Sequence, residues 1–254
     1  WSDVHGCPYC LTEQLLWNIA VEPRDKIVHD SFRCGHCGAA LDKDSMPKVF
    51  DSSGQAKTVP VLIDYSTSQG RYEKAPDEGD LRLLQLIERT EIPYWYPTDK
   101  MMFIGERWGD MYVPLHHEGM SRVDQFYTKR NLWALSAMFH QIQVEAKGRV
   151  RLRNALLMLF TSVCTSLTSK LTRYNFGNRG NGYLSGTLYV PSYVAETRVD
   201  KVLRSKVRDL QTIHQRKELG DAIVTTQSST DLQNIPSDSV DYIFIDPPFG
   251  RNLM

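Results

Sequence analysis

Nowhere in these 254 residues is there an apolar run able to cross a bilayer; the longest, at residues 155–160, falls far short of a span, which needs roughly 20. The N-terminus shows no charged-then-apolar leader either. Net charge is also absent, with 30 Lys+Arg against 30 Asp+Glu, so the chain as a whole offers no polyanion signal. Cysteine is scarce at five, which in a chain without an export signal argues against a disulfide framework. No internal repeat or low-complexity tract is present. What is present, 41% hydrophobic residues, suffices for a real core in one or two domains. A soluble, cytoplasmic, globular protein is the expectation.

Four of the five cysteines stand in two C-x-x-C pairs. Cys7-Pro8-Tyr9-Cys10 and Cys34-Gly35-His36-Cys37-Gly38 are separated by 23 residues, slightly above the commonest zinc spacing. Four thiolates close a tetrahedral Zn2+ site, and glycines beside or inside the knuckles let backbone N–H groups turn toward sulfur. The expectation is a structural zinc ribbon over residues 1–45 with Cys7, Cys10, Cys34 and Cys37 as ligands. His5, His29 and His36 lie close enough in sequence to leave open an imidazole in place of one thiolate. Cys164, in Leu-Leu-Met-Leu-Phe-Thr-Ser-Val-Cys, reads as a buried apolar residue.

The neutral total hides an uneven distribution. Residues 151–219 hold twelve Lys/Arg against four acids, Glu196, Asp200, Asp209 and Glu218, so this part carries +8 and the remainder −8. A basic segment of that size fits phosphate contacts, and it equally describes a solvated helix face. Within it, residues 170–183 interleave basic, aromatic, amide and glycine side chains; Arg173, Tyr174, Asn175, Arg179 and Tyr183 are the candidates to grip phosphate and stack on bases. A plain Gly/Asn surface loop fits the same residues.

Between these parts, residues 28–32 and those from Leu41 onward should be ribbon strands, 52–57 a turn and 59–65 a further strand. Helical spacing begins at Leu81, and Pro93 stops it. Tyr94-Trp95-Tyr96-Pro97 packs or binds something flat. Thr128 is placed to cap a helix whose stripe is Leu132, Leu135, Phe139 and Ile142. Further helices are expected at 151–171 and 198–216, and a short strand at 187–191. The domain reading is 1–45 zinc ribbon, 46–150 an intervening α+β region, 151–219 a basic helical region, and 220–254 the start of a catalytic sheet.

That last assignment rests on Ser-Val-Asp-Tyr-Ile-Phe-Ile-Asp-Pro-Pro-Phe-Gly, residues 239–250. An apolar β-branched run delivers an acid, two prolines and an aromatic to its end, and proline, with φ fixed and no N–H, stops a strand and stiffens the loop. The same residues also fit an ordinary Asp-Pro turn. The segment resembles the D-P-P-Y/F motif of the DNA amino-methyltransferases. The resemblance implies an α/β fold containing part of a Rossmann-like methyltransferase sheet, with S-adenosylmethionine as methyl donor. It further implies that Asp246 and the Pro247 carbonyl accept from an exocyclic amine, that Pro248 stiffens the loop, and that Phe249 stacks on a flipped base. An Asp in first position favours adenine N6 over cytosine N4. Phe126, Thr128 and Arg130 lie in an aromatic-T-x-R-N-L segment similar to one in the zinc-containing branch of that family, where the resemblance places them on the cofactor side of the cleft; a capped amphipathic helix accounts for them equally.

The family's glycine-rich F-x-G-x-G cofactor loop is missing: residues 34–38 are committed to metal, and 176–180 lack a preceding apolar strand. In the branch resembled, that loop precedes the cysteines, and both ends of this chain read as cut. The expectation is a fragment of a DNA adenine-N6 methyltransferase acting on double-stranded DNA, with a restriction or defence partner. The alternative is a zinc-ribbon nucleic-acid-binding module without catalysis.

Overall fold

The organising strand is β1 (Ser2–Gly6), in which Ser2, Asp3, Val4 and His5 are all buried. The three polar residues among them are tolerated because each finds a partner, as burial demands, although His5 Nε2 has no hydrogen bond among the described residues. Ser2 Oγ accepts from Trp17 N at 3.0 Å, Asp3 pairs with Lys48 Nζ at 2.9 Å, and His5 Nδ1 meets the Met46 carbonyl at 3.1 Å. β1 is the centre of a three-stranded antiparallel sheet, flanked by β2 (Glu13–Leu15) and β7 (Thr58–Val59). Its N-terminal end is also fastened from a distance: Asp3 N donates to Ser192 O and Val194 N to Trp1 O, both at 3.0 Å.

The computed structural model describes residues 1–22, 27–101, 119–165, 167–176, 180–184, 188–215, 228 and 230–245, in two compact units, Trp1–Ile213 and His214–Met254. In the first unit α1 (Leu16–Ala20) follows β2, then the hairpin β3 (Val21–Glu22) with β4 (Ile27–Val28) and the hairpin β5 (Ser31–Arg33) with β6 (Ala40–Asp42). Phe32 and Leu41 are cross-strand partners in that second hairpin. They are buried with Cys7, Leu16, Ala20, Cys34 and Met46 in one apolar cluster. The expected strand at 59–65 is divided in two: β7 ends at Val59 before Pro60, which has no N–H for a ladder, and β8 (Ile63–Thr67) pairs instead with β9 (Gly70–Lys74).

Helix α2 (Glu78–Arg89) starts three residues before its first leucine, because Asp77 and Asp80 form a reciprocal capping box: Asp80 N donates to Asp77 Oδ1 at 2.9 Å and Asp77 N to Asp80 Oδ2 at 3.0 Å. Helix α3 (Lys129–Glu145) begins as expected at Thr128, whose Oγ1 accepts from Asn131 N, and buries Leu132, Leu135 and Ile142. Tyr94 and Trp95 pack on it, with ring centroids 5.1 Å from His140 and 5.4 Å from Phe139. Helix α4 (Val150–Thr165) ends earlier than the sequence pattern predicts. Thr168 Oγ1 donates to the carbonyls of Val163 and Cys164, and Leu167 takes φ +60, so a side chain replaces the next helical turn. Leu135, Val163, Val199 and Val202 then close a core between α3, α4 and α5 (Val199–His214), each contributing about 1.5–3 kcal/mol by burial. Residues 188–191 form no strand.

All strand pairs among the described residues are antiparallel and short. In the second unit, residues 230–245 are turns, bends and irregular chain without a ladder, and Tyr242, Ile243, Phe244 and Ile245 are 80%, 68%, 79% and 73% exposed. An apolar run forms a strand only where a neighbour accepts its backbone bonds, and no described residue does so here. No helix among the described residues is long and apolar enough to cross a membrane.

Candidate metal centre and nucleic-acid surfaces

The two knuckles are built on one template. Leu11 N donates to Cys7 O at 2.9 Å and Gly38 N to Cys34 O at 3.0 Å; Cys7 N donates to Thr12 O at 3.0 Å and Cys34 N to Ala39 O at 2.9 Å. Residues at the same place after each pair, Leu11 and Gly38, take φ +60 and φ +73. β1–β2 carries the first knuckle and β5–β6 the second. Gln14 Oε1 joins them by accepting Gly35 N at 3.2 Å.

This arrangement brings Cys7, Cys10, Cys34 and Cys37 together with all four sulfurs within 4.8 Å of one another. Cys7 Sγ lies 3.8 Å from Cys37 Sγ, and Cys10 Sγ lies 3.7 Å from Cys34 Sγ. A tetrahedral ion about 2.3 Å from each sulfur sets S···S edges of about 3.8 Å, so the cage has the size of a zinc thiolate site. No imidazole is needed to complete it.

The electrostatics agree. Thr12, donating through its hydroxyl and its N–H, holds the Cys10 thiol down at about 5. Cys34 is lowered by N–H groups of Cys37 and His36, at 3.5 Å and 3.4 Å from its sulfur. The Ala39 N–H lowers Cys37, but desolvation and the crowding of Cys34, Cys10 and Cys7 outweigh it and push that thiol up to about 11. Four ionised thiols cannot share so small a volume without a cation, and a divalent metal removes the conflict. Such a cage is compatible with a zinc ribbon.

The aromatic-T-x-R-N-L segment is gathered around one acid that sequence reasoning did not single out. Glu196, its side chain 4% exposed, accepts from Trp1 Nε1 at 2.7 Å, Thr128 Oγ1 at 2.5 Å, Arg130 Nε at 3.1 Å and Arg130 Nη2 at 2.8 Å. Asn131 Nδ2 reaches the carbonyls of Thr168 and Thr197, both at 2.9 Å. Phe126 is buried with Met120, Val190 and Val194. Glu196's position as one of four acids in a basic segment was the only signal for it.

Of the loop candidates, Arg173 is exposed and its backbone bridges to Gly182 and Val194. Tyr174 joins Trp17, Phe176 and Tyr193 in an aromatic group with centroids 4.9–6.1 Å apart. Asn175 folds the loop by donating Nδ2 to Gly180 O at 2.5 Å, and Tyr183 is 46% exposed. Arg179, together with Asp246, Pro247, Pro248 and Phe249, lies outside the described residues. Burial pushes the Cys164 thiol up to about 11, in keeping with an inert residue.

Comparison of the chain with protein-family models, with curated proteins and with solved structures finds no match.

Proposed function

We propose that this chain is the zinc-ribbon-bearing recognition part of an S-adenosylmethionine-dependent DNA amino-methyltransferase that favours adenine N6. The observation that carries the reading is the sequence Asp246-Pro247-Pro248-Phe249 behind the apolar run 240–245; the cysteine cage supports its ribbon half. In this reading the ion in the cage is a structural Zn2+, because four thiolates leave no open coordination position. The run 240–245 would join a parallel, Rossmann-like sheet.

Bound S-adenosylmethionine would supply the methyl group. The work assigned to this chain is to hold the base. Asp246 carboxylate and the Pro247 carbonyl accept from the two N–H bonds of the exocyclic amine, which localises its lone pair and takes the charge that develops on nitrogen. Phe249 stacks on the ring and offsets part of the unstacking cost. Phe126, Thr128 and Arg130 enter as the wall behind the cofactor rather than as its first contacts, since the core and Glu196 already engage them. The substrate is double-stranded DNA, and a restriction or defence partner would act on the same sites.

The test is methyl transfer to duplex DNA by the enzyme carrying this chain. Asp246→Ala is expected to lose about 100-fold or more in rate, the magnitude for a removed transition-state contact, while DNA affinity stays. Equal transfer by both proteins refutes the reading. The second reading, a zinc-ribbon nucleic-acid module without catalysis, is favoured by the exposed run 242–245; DNA binding with no transfer by either protein would select it.

A further inference from the structure

We propose that the exposed face of α5 is a track for the phosphate backbone of double-stranded DNA, entered from a cleft that the helix shares with the 173–183 loop. The inference rests on the nucleic-acid reading above and specifies its contact surface. Helix α5 has two opposed faces. Val199 and Val202 are buried against α3 and α4. Lys201, Arg204 and Arg208 fall at i, i+3 and i+7, one stripe of the helix, and all three are exposed.

The main partners of the acids in this helix lie outside the stripe, with Arg204 and the Lys201 N–H adding smaller attractions to Asp200. Arg198 holds Asp200 through Nε at 2.9 Å and Nη2 at 2.7 Å, and Lys206 lies 4.0 Å from Asp209. Among the described residues no carboxylate comes within ion-pair distance of Lys201, Arg204 or Arg208. At 1.5 Å rise per residue the three cations extend over about 10.5 Å. That length of duplex carries about six phosphate charges, at one per about 1.7 Å.

A second observation joins this stripe to the loop. Arg198 and Lys201 line a cleft of about 1040 Å³ together with Tyr174, Asn175, Gly180 and Asn181; its acids include Glu73 and three that are paired with cations, Asp64 with Arg71, Asp80 with Lys74 and Glu196 with Arg130. The first turn of α5 and the amide-rich loop thus face one space. Lysine and arginine beside backbone and amide groups are the kinds of group that position a sugar-phosphate strand without reading its sequence, although Asn175 N and Nδ2 are already used within the loop.

The test uses the metal-loaded chain and a short DNA duplex, with affinity followed by fluorescence anisotropy across a salt series. Replacing all three residues, K201A/R204A/R208A, is expected to flatten the log–log salt dependence by about 0.9 per lost phosphate contact, about 2.7 in all. The unfolding midpoint should hold, because the changed side chains are exposed. Arg204→Gln alone, expected to remove about 0.9, answers the question if the triple variant folds poorly. An unchanged slope with duplex binding retained overturns this interface and keeps the recognition reading. No duplex binding by the unmodified chain overturns both. Tighter binding to RNA or to anionic vesicles than to duplex DNA overturns the choice of partner.

Discussion

Replacing Cys34 with serine tests the cage most directly. Cys34 is 3% exposed, its sulfur lies 3.7 Å from Cys10 Sγ, and it accepts two backbone N–H groups. Serine keeps the shape but offers a poor ligand, and it belongs to the same cluster as Leu16, Phe32 and Leu41. Structural zinc contributes about 10–16 kcal/mol of apparent binding free energy in small folded units at pH 7. That is comparable to the whole stability of a domain, about 5–15 kcal/mol, so losing one of four ligands should loosen the ribbon as well as weaken the metal. Metal analysis and competition with a chromogenic chelator are expected to give one equivalent of zinc for the unmodified chain and for Cys164→Ser, and weak or no retention for Cys34→Ser. The pH dependence has a definite sign. Cys37, pushed up to about 11, must release its proton on metal binding, whereas Cys10, at about 5, is already ionised at neutrality. Apparent affinity should therefore rise with pH through the neutral range and fall on acidification. One tightly held equivalent in Cys34→Ser, or no zinc and a chelator-insensitive unfolding curve in the unmodified chain, would refute the argument.

Two further perturbations follow from the same geometry. Gly38→Ala meets no atom within 4 Å of the added Cβ but must hold φ +73, so it should destabilise by about 1–2 kcal/mol. Leu11→Gly, at φ +60 and 84% exposed, should be neutral or stabilise by up to about 1 kcal/mol; chemical unfolding with metal present reads both. Glu196→Ala removes the partner of Arg130, Thr128 and Trp1 Nε1 at once; with the Arg130 side chain 44% exposed, water takes up its charge and the loss should be about 1–3 kcal/mol, seen as a lower unfolding midpoint that Glu196→Gln recovers only in part.

Local signals survived the passage from sequence to structure best. The paired knuckles, the Thr128 cap and the stripe Leu132, Leu135, Phe139 and Ile142 depend on spacing within a few residues, and each stands where expected except that Phe139 is only half-buried. The end of α4 was missed because a threonine three residues past it takes over the last carbonyls, which apolar periodicity does not register. Glu196 was missed for a different reason. Its partners lie 66, 68 and 195 residues away, so its role exists only after the chain has closed. The run at 239–245 carries a clear strand pattern, yet its pairing depends on neighbours outside the run and cannot be read from its own residues.

The bond between the first strand and the far end of the unit also separates an early closure from a late one. β1 pairs with β2 about 11 residues away, as Val4 does with Leu15, but its first residues reach Ser192 and Val194. Closing the longer loop costs about 2.5 kcal/mol more in chain entropy than closing the shorter one, by the logarithmic dependence on loop length. The cysteine cage needs only the short closures, so it can form while most of the chain is still being synthesised. Until residues 192–194 have been made, Asp3 N and Trp1 O lack these partners, so this pairing is the latest that β1 can complete during synthesis.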